Sequence, residues 1–268
     1  MNNIKILISL GLVFLLISSC YEKKEGCLDI YATNFDAQAD KSCCCQYPKL
    51  ALSFNHVLGA NIYNETDTVT NDLGQAFKIT SFTYYLSGFV LKDKDGNSFT
   101  TSDTFHIPTV SSEIIVKNDI AIVRPGAVSL ILGSFSQKDD ITDIQFQFGP
   151  PAEVEEALID LIPSSRSLSR QPDTMYTPFK GYASIKIKYT TDITSDALEK
   201  TIYIYDKIPL DFNNIVYPLK IASNSCITIL NDYKYWFHNV DVKLDDEALV
   251  KVKIIDNIKH SILIKQCD

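Results

Sequence analysis

The feature that most constrains this chain is an alternation of apolar and polar residues that recurs from Leu50 almost to the C-terminus. A period of two places successive side chains on opposite faces of an extended strand, so one face of each such segment is built to be buried. Leu50-Ala51-Leu52-Ser53-Phe54-Asn55-His56-Val57 puts Leu50, Leu52, Phe54 and His56 on one face. Phe77 to Leu91 reads as a long bent strand, or a strand after a bulge, that runs into a hairpin turn at Asp95-Gly96. Ile141 to Gly149, Gly181 to Tyr189, Thr201 to Tyr205 and Ala248 to Ile264 are further strand candidates. The 14 Tyr and 14 Phe suit pleated, half-buried surfaces. Parallel βαβ units need amphipathic helices between strands, and a single helix is expected. It spans Pro151 to Leu161, where Val154, Ala157, Leu158 and Leu161 share a face behind a Pro-Pro start. The expected fold is therefore all-β, an antiparallel β-sandwich over residues 49–268 with one short crossing helix. Pro163 to Pro178 is polar, holds three prolines and lacks a period, a long loop that is functional or loosely ordered.

Charge narrows the partners. The net charge of -8 and pI near 5.0 argue against nucleic acid, whose phosphates call for clustered Lys and Arg. Residues 1–19 point instead to export. Lys5 precedes an apolar run from Ile6 to Ile17, 12 residues without a charge. That is a signal-peptide length, short of the roughly 20 residues of a membrane span. Ile17-Ser18-Ser19-Cys20 resembles a bacterial lipobox, which makes Cys20 the expected lipidated N-terminus of a mature chain held on a membrane, an outer membrane of the cell envelope by this reading. The alternative is an ordinary signal cut nearby, with Cys20 a loose thiol. Glu22-Lys23-Lys24-Glu25 then forms a charged tether.

Setting Cys20 aside leaves Cys27, Cys43, Cys44, Cys45, Cys226 and Cys267, an even set for an oxidising compartment. Adjacent cysteines rarely meet disulfide geometry. If all six are oxidised and no neighbours pair, each triplet member takes one of Cys27, Cys226 and Cys267, which would fasten segment 20–48 to the end of the main domain. The alternative pairs Cys27 with the triplet and Cys226 with Cys267. A thiolate metal site at Cys43 to Cys45 is a third reading, although consecutive thiols lack the spacer of zinc knuckles. Residues 26–43, Gly-Cys-x-Asp followed by Ala-Thr-Asn-Phe-Asp and an acidic patch, resemble a short module of secreted bacterial proteins. Asp29, Asn34, Asp36 and Asp40 are oxygen donors suited to Ca²⁺ or to Asx turns in a disulfide-closed loop.

Catalytic motifs do not emerge. Histidines 56, 106, 238 and 260 form no His-Glu-x-x-His or His-x-His pair, and the carboxylate clusters fall in expected turns or on a polar helix face. A nucleophile elbow, a phosphate loop and a dinucleotide fingerprint are all missing, so a non-enzymatic role is expected. His56 is the most informative, because its register points it into the core, where an imidazole needs a hydrogen-bond partner or a metal. Trp236-Phe237-His238 reads as an aromatic strand with Trp236 and His238 on one face.

Several segments together resemble the MbnP-like family of secreted copper-associated proteins. Phe54-Asn55-His56-Val57-Leu58-Gly59 looks like its Phe-x-His-x-x-Gly strand, and Tyr84-Tyr85-Leu86-Ser87 like its Tyr-Tyr-x-Ser strand. Asp95-Gly96, Phe146-Gln147-Phe148-Gly149, and Asp173-Thr174-Met175-Tyr176 through Gly181-Tyr182 follow in the family's order. The resemblance implies a β-sandwich-like domain, a copper site built from His and an oxidised Trp, and a dihaem peroxidase-like partner. On this chain the implied metal residues are His56, Met175 and Asp206. Thr177 and Phe179 stand where the box carries tryptophans, and Asp206 where a later His is expected. Two functions follow: a membrane-anchored envelope lipoprotein binding copper or a small ligand near His56, or an interaction module that has lost the metal and contacts a partner through loop 163–178 or the Trp236 face.

Overall fold

The computed structural model describes residues 22–136, 138–169, 175–194, 196–218 and 220–267. The expected signal, Cys20, and Asp173 and Thr174 of the box lie outside these residues. The main strands are β1 (Lys49–Leu58), β2 (Ala76–Asp93), β3 (Ala121–Val123), β4 (Ser129–Ser134), β5 (Ile141–Phe148), β6 (Ile185–Thr190), β7 (Glu199–Ile204), β8 (Ile208–Phe212) and β9 (Ser225–Asp232). After β9 come a short helix α1 (Tyr233–Trp236), a long helix α2 (Glu247–Ser261) and a last strand β10 (Ile262–Gln266).

Two sheets face each other. The eight-stranded sheet runs β7-β6-β2-β5-β8, with β3, Thr68–Thr70 and Ser98–Phe99 adding to β2. The five-stranded sheet runs β4-β1-β9-β10, with Asn61–Ile62 on β1. Within these two sheets pairing is antiparallel except between β1 and β9, which run parallel with Asn231 opposite His56. The expected alternation holds in β1, where Leu50, Leu52 and Phe54 are buried. It also holds in β2, an 18-residue strand bent at a bulge where Gly88 takes φ +70°. At that bulge the freed Phe89 N–H donates to the buried Asp119 carboxylate (3.0 Å), so the extra residue leaves no orphan donor. Burial pushes the Asp119 carboxyl above its usual range, and the hydrogen bond from Phe89 N–H opposes the shift.

The pleat of β2 sorts its aromatics into two layers. Phe82, Tyr84 and Leu86 enter the core between the sheets, together with β1, β9 and α2 residues. Tyr85 points the other way, into a smaller apolar layer on the outer face of the large sheet, with Ile107, Val116, Val154, Met175 and Tyr182. Each large side chain so buried contributes about 1.5–3 kcal/mol.

Three expected elements need correction. Ala248 to Ile264 is largely helical: Asp246 caps α2 by accepting from Leu249 N–H (2.8 Å), and Val250, Ile254 and Ile258 make its buried stripe. Trp236-Phe237-His238 is the end of α1 and its turn, and Trp236 is buried whereas His238 is half-exposed against Asp72. Pro151 to Leu161 forms two short 3-10 turns, Ala152–Glu156 and Ile159–Leu161, with Ala157 extended between them. Leu158 N–H donates to the Pro108 carbonyl (2.9 Å), a tertiary bond that takes the chain out of the helix and leaves Leu161 exposed.

Candidate functional site

His56 reaches the core edge because β1 alternates inward at Leu50, Leu52, Phe54 and His56. The residues Arg124-Pro125-Gly126-Ala127 then make a tight turn, with Ala127 N–H on the Arg124 carbonyl (3.0 Å) and Gly126 at φ +83°. Pro then Gly at its centre is the type II signature. This turn delivers the Ala127 carbonyl to His56 Nε2 at 2.8 Å. On the other side β9 ends and α1 begins, because Asp232 accepts from Lys234 N–H, and the Tyr233 hydroxyl lies 2.7 Å from His56 Nδ1.

The protonation pattern follows. A carbonyl oxygen only accepts, so Nε2 carries the proton. Burial lowers the His56 pKa, partly offset by the bond to Ala127, which keeps the ring neutral and leaves the Nδ1 lone pair to accept from Tyr233. The Tyr84 hydroxyl sits 3.3 Å from that of Tyr233, continuing the chain inward. Burial raises both phenols, Tyr84 to about 12 and Tyr233 well above its ordinary value, so both are neutral hydrogen-bonding groups. Phe54 and Phe82 pack on the imidazole, with ring centres 5.9 and 5.2 Å away. Trp236 stands one ring further, 4.9 Å from Tyr233, and its Nε1–H donates to Asn231 Oδ1 and Ser261 Oγ, both at 2.9 Å. The sole tryptophan thus approaches the His56 neighbourhood from the core.

His56, Met175 and Asp206 do not converge. Met175 is fully buried in the outer layer with Tyr85, whereas His56 packs on Phe82 from the opposite face of β2, so the large sheet stands between them. Asp206 is exposed in the turn between β7 and β8. Among the described residues no three His, Cys, Asp or Glu side chains are grouped to hold a metal ion. The polar atom nearest in register to His56 that lacks a partner is Asn231 Nδ2, a hydrogen-bond donor and not a copper ligand. The residues at His56 therefore do not fit the implied copper set. The physical reason is the pleat: the strand and the box lie on opposite faces of one sheet.

What His56 does border is a half-open cleft of ≈ 430 Å³, lined also by Phe54, Asn55, Tyr63 and Leu230, with strongly exposed Ile62 and Val128 at its wall. On the far side, where the family box carries tryptophans, Thr177 hydrogen-bonds the Tyr205 hydroxyl (2.8 Å), and Phe179 is fully exposed at φ +71°.

The six cysteines form Cys27–Cys45, Cys43–Cys44 and Cys226–Cys267. The fastening of the N-terminal segment to the end of the main domain is thus replaced by the alternative pairing, because β9 and the end of β10 already bring Cys226 and Cys267 to a Cα separation of 5.5 Å. The neighbours Cys43 and Cys44 do pair, with Cys44 in the left-handed region at φ +55°. In the same segment the oxygen donors are engaged within the chain. Asp29 accepts from Tyr31 N–H and the Tyr47 hydroxyl, Asp36 from Gln38 N–H and Lys24, and Asn34 from Gln46 N–H. This is the Asx-turn arrangement, and it holds the Asp29 and Asp36 carboxyls below their usual range through those hydrogen bonds.

Sequence reasoning placed His56 inward but missed Tyr233 and Ala127. The Pro125-Gly126 turn was a readable signal for Ala127. Tyr233, 177 positions away, had none.

Comparison with known proteins agrees with this architecture. The MbnP family model matches residues 47–253. The solved structure of MbnP from Methylosinus trichosporium superposes with a TM-score of 0.51 at 11% identity, covering 82% of this chain and 99% of that one. No curated protein matches the chain. With the family model spanning most of its length, the chain belongs to the MbnP family.

Proposed function

We propose that this chain is a non-enzymatic, lipid-anchored protein of the bacterial cell envelope whose MbnP domain binds a protein partner and has given up the copper trio. The lipobox-like Ile17-Ser18-Ser19-Cys20 supports the anchor, and three disulfides suit an oxidising compartment. The observation that carries the partner reading is Phe179. An aromatic side chain fully in water, on a backbone conformation that costs an L-residue about 1 kcal/mol or more, has no stabilising role in the fold. Exposed aromatics of this kind are common anchors of protein interfaces. A photo-crosslinking residue at position 179 of the anchored protein, in its native cells, is expected to give one discrete protein adduct that the same residue at Leu198 does not. Equal or absent adducts at both positions overturn the reading. Palmitate-analogue labelling lost in Cys20→Ala tests the anchor.

The cleft beside His56 favours a second reading, a small apolar ligand lying against Phe54 and Tyr63.

A further inference from the structure

We propose that Cys43–Cys44 is a reversible thiol–disulfide exchange site, opened by a dithiol reductant without unfolding the protein. The three bridges differ in what they close. Cys27–Cys45 and Cys226–Cys267 span 18 and 41 positions, whereas Cys43–Cys44 joins neighbours. A bridge stabilises chiefly by removing conformations from the unfolded chain, an effect that grows with the loop it closes, so a bridge between neighbours adds almost nothing to folding. Access differs as well. Cys27 is fully buried and Cys43, Cys45, Cys226 and Cys267 are half-buried, whereas Cys44 is exposed, so the sulfur most open to an incoming thiolate belongs to the vicinal pair.

The surroundings are built to survive opening. Asn34 grips the backbone on both sides of Cys45, donating from Nδ2 to the Cys44 carbonyl and accepting from Gln46 N–H at Oδ1, each at 2.8 Å. Cys43 N–H holds the Gly26 carbonyl at 2.9 Å. With Cys27–Cys45 intact, the two freed thiols stay side by side, and re-closure is intramolecular and fast. Opening also releases the small ring that accompanies the left-handed Cys44, a conformation unfavourable for an L-residue.

The step balances as a two-electron exchange. A thiolate of the dithiol attacks one sulfur of Cys43–Cys44, the S–S bond breaks, and a mixed disulfide forms. The second thiolate of the dithiol resolves it, leaving the reductant as its own disulfide and Cys43 and Cys44 as two protonated thiols.

The test is a dithiothreitol titration of the oxidised mature chain, quenched by alkylation and mapped by peptide mass, with fluorescence of the sole, buried Trp236 read in parallel. The expected result is labelling at Cys43 and Cys44 at about tenfold less reductant than labels the other four cysteines, with unchanged fluorescence and full reversal on reoxidation. Three bridges opening together, or alkylation at 43 and 44 before reductant is added, would overturn it. The double variant Cys43→Ser/Cys44→Ser is expected to melt with the wild type; a variant that melts lower or fails to fold makes the bridge structural and equally refutes the proposal.

Discussion

The two faces of β2 hold the same kinds of residue and do different things with them. On the inner face, Tyr84, Tyr233 and Trp236 each spend their polar atom inside the core, and His56 completes the chain of hydrogen bonds. On the outer face, Tyr85 and Tyr182 send their hydroxyls to the backbone carbonyls of Ser167 and Leu168, and Met175 is a packing residue among them. Neighbouring positions in a motif, Tyr84 and Tyr85, thus belong to different layers. A family motif read along the chain suggests one site, whereas the pleat divides it into two.

Trp236→Ala removes the largest inner side chain and the indole N–H that donates to Asn231 Oδ1 and Ser261 Oγ, and guanidinium unfolding is expected to show a loss of about 3–5 kcal/mol. Tyr233→Phe keeps the ring and deletes the donor to His56 Nδ1; the expected cost by the same measurement is about 1–3 kcal/mol, because a buried acceptor is left unpaired. On the outer face Met175→Leu is expected to cost less than about 1.5 kcal/mol, as a volume-conserving swap at a purely apolar site. A loss on the scale of Trp236→Ala there would contradict the division of roles.

Titration sharpens the same contrast. The folded-state pKa of His56 lies below its unfolded value of 6.5, so the unfolded chain takes up a proton first. Stability from this group is complete above 6.5, falls as pH drops below it, and stops changing below the folded pKa. His56→Gln is therefore expected to flatten the pH dependence of urea midpoints between about pH 7 and 5, relative to wild type. The depressed carboxyls Asp29, Asp36, Asp93, Asp192 and Asp241 act in a separate window: their contribution is present above 3.8 and is lost as pH falls through their folded values.

Strands were legible wherever a half-buried sheet imposes period two, as in β1, β2 and β5. Helix α2 was misread for a physical reason: Val250, Val252 and Ile254 alternate and are β-branched, and only the Asp246 cap with Val250, Ile254 and Ile258 four apart marks the helix. Of the candidate site, the inward register of His56 was readable, because local alternation sets it. Its partners were not, since Tyr233 and Ala127 arrive through the parallel pairing of β9 and through a turn in another part of the chain.

The most direct test that His56 belongs to a hydrogen-bond chain, and not to a metal set with Met175 and Asp206, is a Cu(I) competition titration of the protein and of His56→Gln, Met175→Leu and Asp206→Asn. One common curve for all four proteins is expected. A shared weakening of about tenfold or more in the three variants would contradict it, because residues that ligate one ion lose affinity together.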